Sequence, residues 1–389
     1  MKGDALERYT GFALGFHPLL TLLGLPFISY RGASRVRTEM SRDRASLIWW
    51  GAMALSGLIS VLLAVHKPSA VASYFEPFFF IWLYILGRVA VRKPVRFLQD
   101  FLRGVGALAL LILAARLFRL DLSLGHLRII GRFQAGQRGE ILYIGDNSLG
   151  LMVQAGVVGA LGCFLADWQD RKKRTEYILI FVLSSLALIV TGSRGAMLGT
   201  LLAILYLACQ FRIAAFLGAG AFLGLLLWLA KDRFRSIVDL QHSSNANRLL
   251  IWVSSLRIVR DHLFFGVGPG NFGQVISRYR EPGITLQRIT CAHSNYLRIF
   301  VGWGLIGGLL IWGWQVFVLV RSCLRGWHPA HRIAFAILLA YYAHTMVNDL
   351  FVAYAGFLLG FLDNPSLPCT RASVGGEQMP EKRGNPIVA

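Results

Sequence analysis

Charge is what this chain has little of. Asp, Glu, Lys and Arg make up 15% of its 389 residues, against about 25% in soluble domains. The 55% apolar side chains and mean hydropathy of +0.55 are more than one soluble core can hide. They fit a bilayer crossed about 11 times by runs of ~20 residues. A soluble enzyme and a disordered chain are thereby excluded. Cysteine is scarce as well. There are five; Cys163, Cys209 and Cys323 lie in or beside apolar runs, and CxxC is absent, so no disulfide framework is implied. Metal-ligand spacing, internal repeats and a soluble-length domain are also missing. The N-terminus lacks a signal-peptide cleavage pattern, so the first apolar run is expected to remain as a span.

What the chain does have is apolar runs, near 12–30, 46–65, 71–91, 101–118, 148–166, 176–192, 195–211, 213–230, 296–320, 331–348 and 350–363. The expected fold is all-α: one polytopic transmembrane helical bundle over 1–389, of about 11–12 spans, with a large, partly helical loop at 231–295. Acids are the rarer sign, 20 against 40 Lys plus Arg. Arg31, Arg35, Arg37, Arg42 and Arg44 follow the first run, Arg88 to Arg103 surround the third connection, Arg171 to Arg174 form the fifth, and Arg321, Arg325 and Arg332 mark the ninth. Alternate short loops rich in cations define the cytoplasmic side. This puts the N-terminus outside, the C-terminal tail inside, and both long connections, 119–147 and 231–295, outside. Those long segments, with flanking Arg116 and Arg298, are cationic too: 231–298 has 10 basic and 4 acidic residues. The positive-inside tendency does not account for an outer cationic loop. Phosphate does, because guanidinium offers it paired hydrogen bonds; the alternative is that long loops translocate whatever their charge.

Three outer stretches stand out. Thr191-Gly192-Ser193-Arg194-Gly195 sets an arginine between two apolar runs, where it needs a partner or water, beside glycines that permit a tight turn; otherwise Arg194 only snorkels to the interface. From Asn245 to about Asp261, Leu249, Trp252, Val253, Leu256 and Val259 recur at helical spacing. Asn245 or Asn247 can cap this helix, with Arg248 in the first turn, where free amides favour anions. It ends at Gly266-Val267-Gly268-Pro269-Gly270-Asn271-Phe272, which lacks the Gly-Lys-Ser/Thr of a phosphate loop and reads first as a structural turn. Ala292-His293-Ser294-Asn295-Tyr296-Leu297 then enters the ninth run. His293 is placed to act as a base near neutral pH or simply to hydrogen-bond at the interface. Cys291 is close to it in sequence, but a Cys-His catalytic pair is not set by short spacing. His344, Asn348 and Asp349 either line a polar outer pocket or satisfy one another.

In this order, TGSRG, R-x3-W with G-x-G-P-G-N-F, and A-H-S-N-Y-L with G-L-I-G, the chain resembles the O-antigen ligase and polymerase superfamily over about 190–310. The resemblance implies a multi-pass protein of the bacterial inner membrane that transfers a glycan from undecaprenyl pyrophosphate at the periplasmic face, without cofactor or metal. Arg194 and Arg248 match the family's motif arginines and would stabilise the leaving pyrophosphate; His293 matches the motif histidine and would orient or deprotonate the acceptor hydroxyl. Ser193, Asn271, Asn295, Tyr296 and Arg298 are expected to bind substrate. The expected partners are the lipid-linked glycan, a lipid A-core or growing-glycan acceptor and membrane lipids, with no nucleic acid. Ligation to lipid A-core is the first expectation and repeat-unit polymerisation on the same carrier the second. A transporter is the rival of another class, disfavoured because most ionisable residues lie at span ends and broken helices are few.

Overall fold

The computed structural model describes residues 3–16, 36–39, 41, 43–124, 127–130, 140–141, 144–166, 170–210, 243–324, 328–349 and 353–365. The span expected at 213–230, most of that at 12–30, and the tail beyond 365 lie outside them.

The described helices are α1 (Gly3–Phe16), α2 (Arg44–Leu62), α3 (Lys67–Tyr74), α4 (Glu76–Ala90), α5 (Pro94–Leu117), α6 (Asp146–Ala166), α7 (Arg171–Thr191), α8 (Arg194–Gln210), α9 (Ser243–Asp261), α10 (Phe272–Val275), α11 (Asn295–Leu324), α12 (Pro329–Met346) and α13 (Ala353–Leu362). Six helical stretches are long and apolar enough to cross a membrane; α3 and α4 count together as one of them, and α8 and α13 are shorter apolar helices. The polytopic helical bundle expected from composition is the fold. One addition concerns the all-α expectation. The first long connection holds a small antiparallel sheet, β1 (Asp121–Leu124), β2 (Leu127–Ile130), β3 (Glu140–Ile141) and β4 (Ile144–Gly145), paired in sequence order with Asp121 opposite Ile130. Its strands are too short to show an apolar run.

Helix α6 is the axis of the bundle. It is apolar on every side and almost wholly buried, as a helix enclosed by others must be. α7, α5, α8 and α12 pack around it. Two outer pairs are held by glycine. A Cβ at Gly15 or Gly104 would lie 2.0 Å from the carbonyl oxygen of Phe101 or Phe12, which fixes α1 against α5; Gly87 and Gly360 do the same for α4 and α13. Small residues let membrane helices touch backbone to backbone, where no difference in apolarity drives them together.

The run at 296–320 is not a single rod. Gly304 adopts φ 67°, ψ −172° inside α11, and the Tyr296 and Trp312 rings stack 4.3 Å apart. In a continuous helix these residues would be about 24 Å apart. The chain therefore reverses at Gly304 into a short arm, 295–303, packed along a long arm, 305–324. Phe300 and Trp303 sit on Gly308 and Gly307, the small residues opposite them.

The Gly-rich turn explains why the reversal holds. The amides of Val267 and Gly268 donate to the carbonyls of Val301 and Gly302, and those of Leu305 and Ile306 donate to Leu263 and Phe264. Groups orphaned by the break are thus satisfied by the turn. Gly266, Gly268 and Gly270 all have positive φ, which glycine alone adopts cheaply.

Beneath α9 a second, separate core joins Ile251, Ile258, Val267, Phe272, Ile276, Ile289 and Val301. The helix expected near 245–261 is present, but its apolar face is divided. Leu249, Val253 and Leu256 are exposed, while Ile251 and Ile258 face the core.

Candidate functional site

Three loops converge at one end of the bundle. Gly192 ends α7 in the left-handed conformation, Ser193 precedes α8, and Arg194 is its first residue. The Arg194 guanidinium donates to Ser244 Oγ at 3.0 Å, joining the start of α8 to the start of α9. One turn into α9, Arg248 donates to Asn348 Oδ1 at 3.4 Å, just beyond α12. Ser193 is buried; its hydroxyl donates to Asn147 Oδ1 at 3.2 Å and lies 3.5 Å from Nε2 of the fully buried His344. Gly195 makes this crossing possible, because a Cβ there would fall 2.6 Å from His344 and 2.7 Å from Asn348.

Arg248 is half-buried and forms no ion pair among the described residues. Burial, followed by the nearby positive charge of Arg194, pushes its guanidinium below the ordinary value. A buried cation held beside another cation favours an anion between them. Three other described cations of this segment have partners. Arg257 pairs with Glu281 at 2.6 Å, Arg260 with Asp261 at 2.9 Å, and Arg280 donates to the carbonyls of Ile284 and Leu286. Among the described residues, Arg248 differs from these three in being held by a neutral amide.

His293 has φ 50°, rare for a residue with a Cβ. Its ring lies 3.7–3.8 Å from Cys291 Sγ. Burial pushes the Cys291 thiol up, so it stays protonated and is no nucleophile near neutral pH. The charges of Asp349 and Arg248 also act on this thiol, in opposite directions.

The remaining expected residues divide. Asn295 accepts from Arg298 at 2.9 Å and 3.2 Å, and Arg298 pairs with Asp349 at 2.6 Å and with Glu76. Arg298 is thus paired with two carboxylates. Tyr296 donates to the Tyr342 carbonyl at 3.4 Å and stacks on Trp312. Asn271 is fully buried and donates to the Val267 carbonyl, closing its own turn away from the arginines.

Sequence reasoning left Asn147, Ser244 and Glu76 out. His344, Asn348 and Asp349 were visible as a polar trio, and they face Ser193, Arg248 and Arg298 rather than one another. Glu76 carried one signal, an acid at the entrance of an apolar run in a chain with few acids. Beside Arg298 opens a cleft lined mainly by apolar and aromatic side chains from α2, α4, α11 and α12. The described residues contain no group of three His, Cys, Asp or Glu able to hold a metal.

Six membrane-length helices define a multi-pass membrane protein with a polar, cationic centre at one end of the bundle. Residues 179–312 match the family model described as O-antigen ligase. This stretch, about a third of the chain, runs from α7 into the long arm of α11 and includes Arg194, Arg248 and His293; it belongs to the O-antigen ligase superfamily. No curated protein matches the chain.

Proposed function

We propose that the protein is a glycosyltransferase that moves a glycan from undecaprenyl pyrophosphate to lipid A-core at the periplasmic face of the bacterial inner membrane. The observation that carries this reading is the paired Arg194 and Arg248, half-buried and drawn together at one centre. An acceptor hydroxyl attacks the anomeric carbon. The new C–O bond forms as the bond to pyrophosphate breaks, and the electron pair leaves with the lipid pyrophosphate. Two guanidiniums fixed before the reaction stabilise that departing charge without reorganising. His293 orients the hydroxyl and takes its proton. Asn348 holds Arg248 from behind.

The test uses purified protein in liposomes with a polyprenyl-pyrophosphate glycan and lipid A-core. Transfer without any ion gradient is expected. Gradient-dependent movement of the glycan without a new glycosidic bond would overturn the proposal in favour of transport. A repeat-unit polymerase would use the same donor centre. The two separate in cells: loss of a ligase leaves carrier-linked polymer and bare core, and loss of a polymerase leaves core bearing one repeat.

A further inference from the structure

The cleft beside Arg298 has a chemistry of its own. Trp303, Trp312, Trp314 and Tyr341 line it, with Glu76 and Arg298 at the polar end. Tyr296 covers one face of Trp312. The indole Nε1 atoms of Trp312 and Trp314 are both buried without a hydrogen-bond partner. A buried donor left unpaired costs about 1–3 kcal/mol, and an occupant that brings an acceptor to the half-buried Trp312 relieves that cost. A polyprenyl tail has none, and it gains nothing from Glu76 and Arg298. A pyranose ring has both features: an apolar C–H face suited to indole and a rim of hydroxyls suited to indole N–H, carboxylate and guanidinium.

The cleft is also joined to the arginine centre. Asn348 accepts from Arg248, and the next residue, Asp349, pairs with Arg298 at the cleft. Neighbouring Cα atoms are 3.8 Å apart, so the groups that hold Arg248 and Arg298 are adjacent in the chain.

We infer that this tryptophan-lined cleft between α4, α11 and α12 is the seat of the acceptor's sugar ring. The inference rests on the glycosyl-transfer reading for the word acceptor, and on the cleft alone for the sugar.

The experiment follows tryptophan fluorescence of the purified full chain in detergent, titrated with two probes. One is deacylated core oligosaccharide, a sugar without lipid; the other is undecaprenyl phosphate, a lipid without sugar. The oligosaccharide is expected to bind the wild type about fivefold more tightly than Trp312→Phe, which keeps a ring and loses the N–H. It should bind Arg194→Ala as it binds wild type. Undecaprenyl phosphate should behave the other way round, weakened by Arg194→Ala and indifferent to Trp312→Phe. Oligosaccharide binding untouched by Trp312→Phe overturns the inference, and so does lipid binding that depends on Trp312, since the cleft then holds the tail. If Trp312→Phe melts at a lower temperature, Glu76→Gln repeats the comparison with an isosteric change. In liposomes, Trp312→Phe should raise KM for the acceptor and leave KM for the donor alone; the reverse would make the ring the donor's and overturn the assignment. Oligosaccharide binding through Trp312 in a protein that transfers nothing leaves the cleft intact and removes the glycosyl-transfer reading. Transfer with no role for Trp312 does the opposite.

Discussion

Arg248 separates two kinds of positive charge. Arg257, Arg260 and Arg280 are matched to acids or carbonyls, whereas among the described residues Arg248 is held by Asn348 and faces the charge of Arg194. Arg248→Ala should cost the donor at least tenfold in KM or kcat/KM, since a charge-assisted contact contributes about 1.5–3 kcal/mol. Arg248→Lys should recover only part of it, because a point charge does not reproduce a planar fork. Equal kinetics of the two variants in the liposome assay would remove the bidentate phosphate contact from this site. Asp349 gives a pH signature. Burial, opposed by Arg298 and reinforced by Glu76, leaves its carboxyl pushed up to about 6. Its folded value lies above the ordinary 3.8, so the fold favours the protonated form. The stability it contributes is present below about pH 4 and is lost as pH rises through about 6. Melting temperature in detergent should fall over that interval, and Asp349→Asn should flatten the fall. An identical slope in the variant would assign the titration to another group. Arginine, histidine and asparagine of the centre were readable in sequence because each sits in a short stretch at the end of an apolar run. Glu76, Asn147 and Ser244 were not, because each reaches the site from a distant element and carries no local pattern.

At the level of elements, glycine decides the geometry. Periodicity alone read 296–320 as one span, since apolar content continues through Gly302, Gly304, Gly307 and Gly308. Hydropathy registers length and apolarity but not direction, so a reversal between two apolar arms passes unseen. The turn at 266–271 was read as structural, and it is: it supplies the hydrogen bonds that the reversed helix lacks. Helix α9 was found at its true place, but its exposed row of Leu249, Val253 and Leu256 shows that a helical period says nothing about which apolar face meets a core. Gly304→Ala tests the reversal. Its φ of 67° is unfavourable for alanine, and a Cβ would lie 2.4 Å from the Phe264 carbonyl group. The variant should lose stable protein, seen as a collapsed monodisperse peak in detergent size-exclusion. Gly313→Ala on the same helix serves as the comparison, since its Cβ would meet only the edge of Trp49 at 3.1 Å. Similar behaviour of the two would mean that the arms are not held by the bend.

On the scale of the whole molecule, α11 carries two polar centres. One is the arginine site at the start of α11. The other is a buried network at its far end, where Arg88 and Arg321 meet Asp43, Asp363 and the Tyr84 hydroxyl and so join α2, α4, α11 and α13. Asp43 is held at about 2: burial works against this, but the hydrogen bond from Arg88 and the charge of Arg321 outweigh it. Arg88 and Arg321 were counted in the sequence as topology-setting loop cations; here they close the bundle. Arg88→Ala should leave two buried carboxylates short of a partner and cost about 3–5 kcal/mol, read as a lowered melting temperature.

The same geometry makes orientation measurable. The arm 305–324 is about 30 Å long, the thickness of the hydrocarbon layer. Residues near its two ends therefore open to opposite compartments. Cys323 is exposed at the far end, and Leu286 is 39% exposed in the loop beside the site. In a chain whose other cysteines are replaced, an impermeant maleimide added to spheroplasts should label Leu286→Cys and spare Cys323, with Cys323 reacting only after the membrane is opened. The reverse pattern would turn Arg194 and Arg248 toward the cytoplasm, away from a glycan carried on the outer leaflet, and the proposed reaction would fall with the orientation.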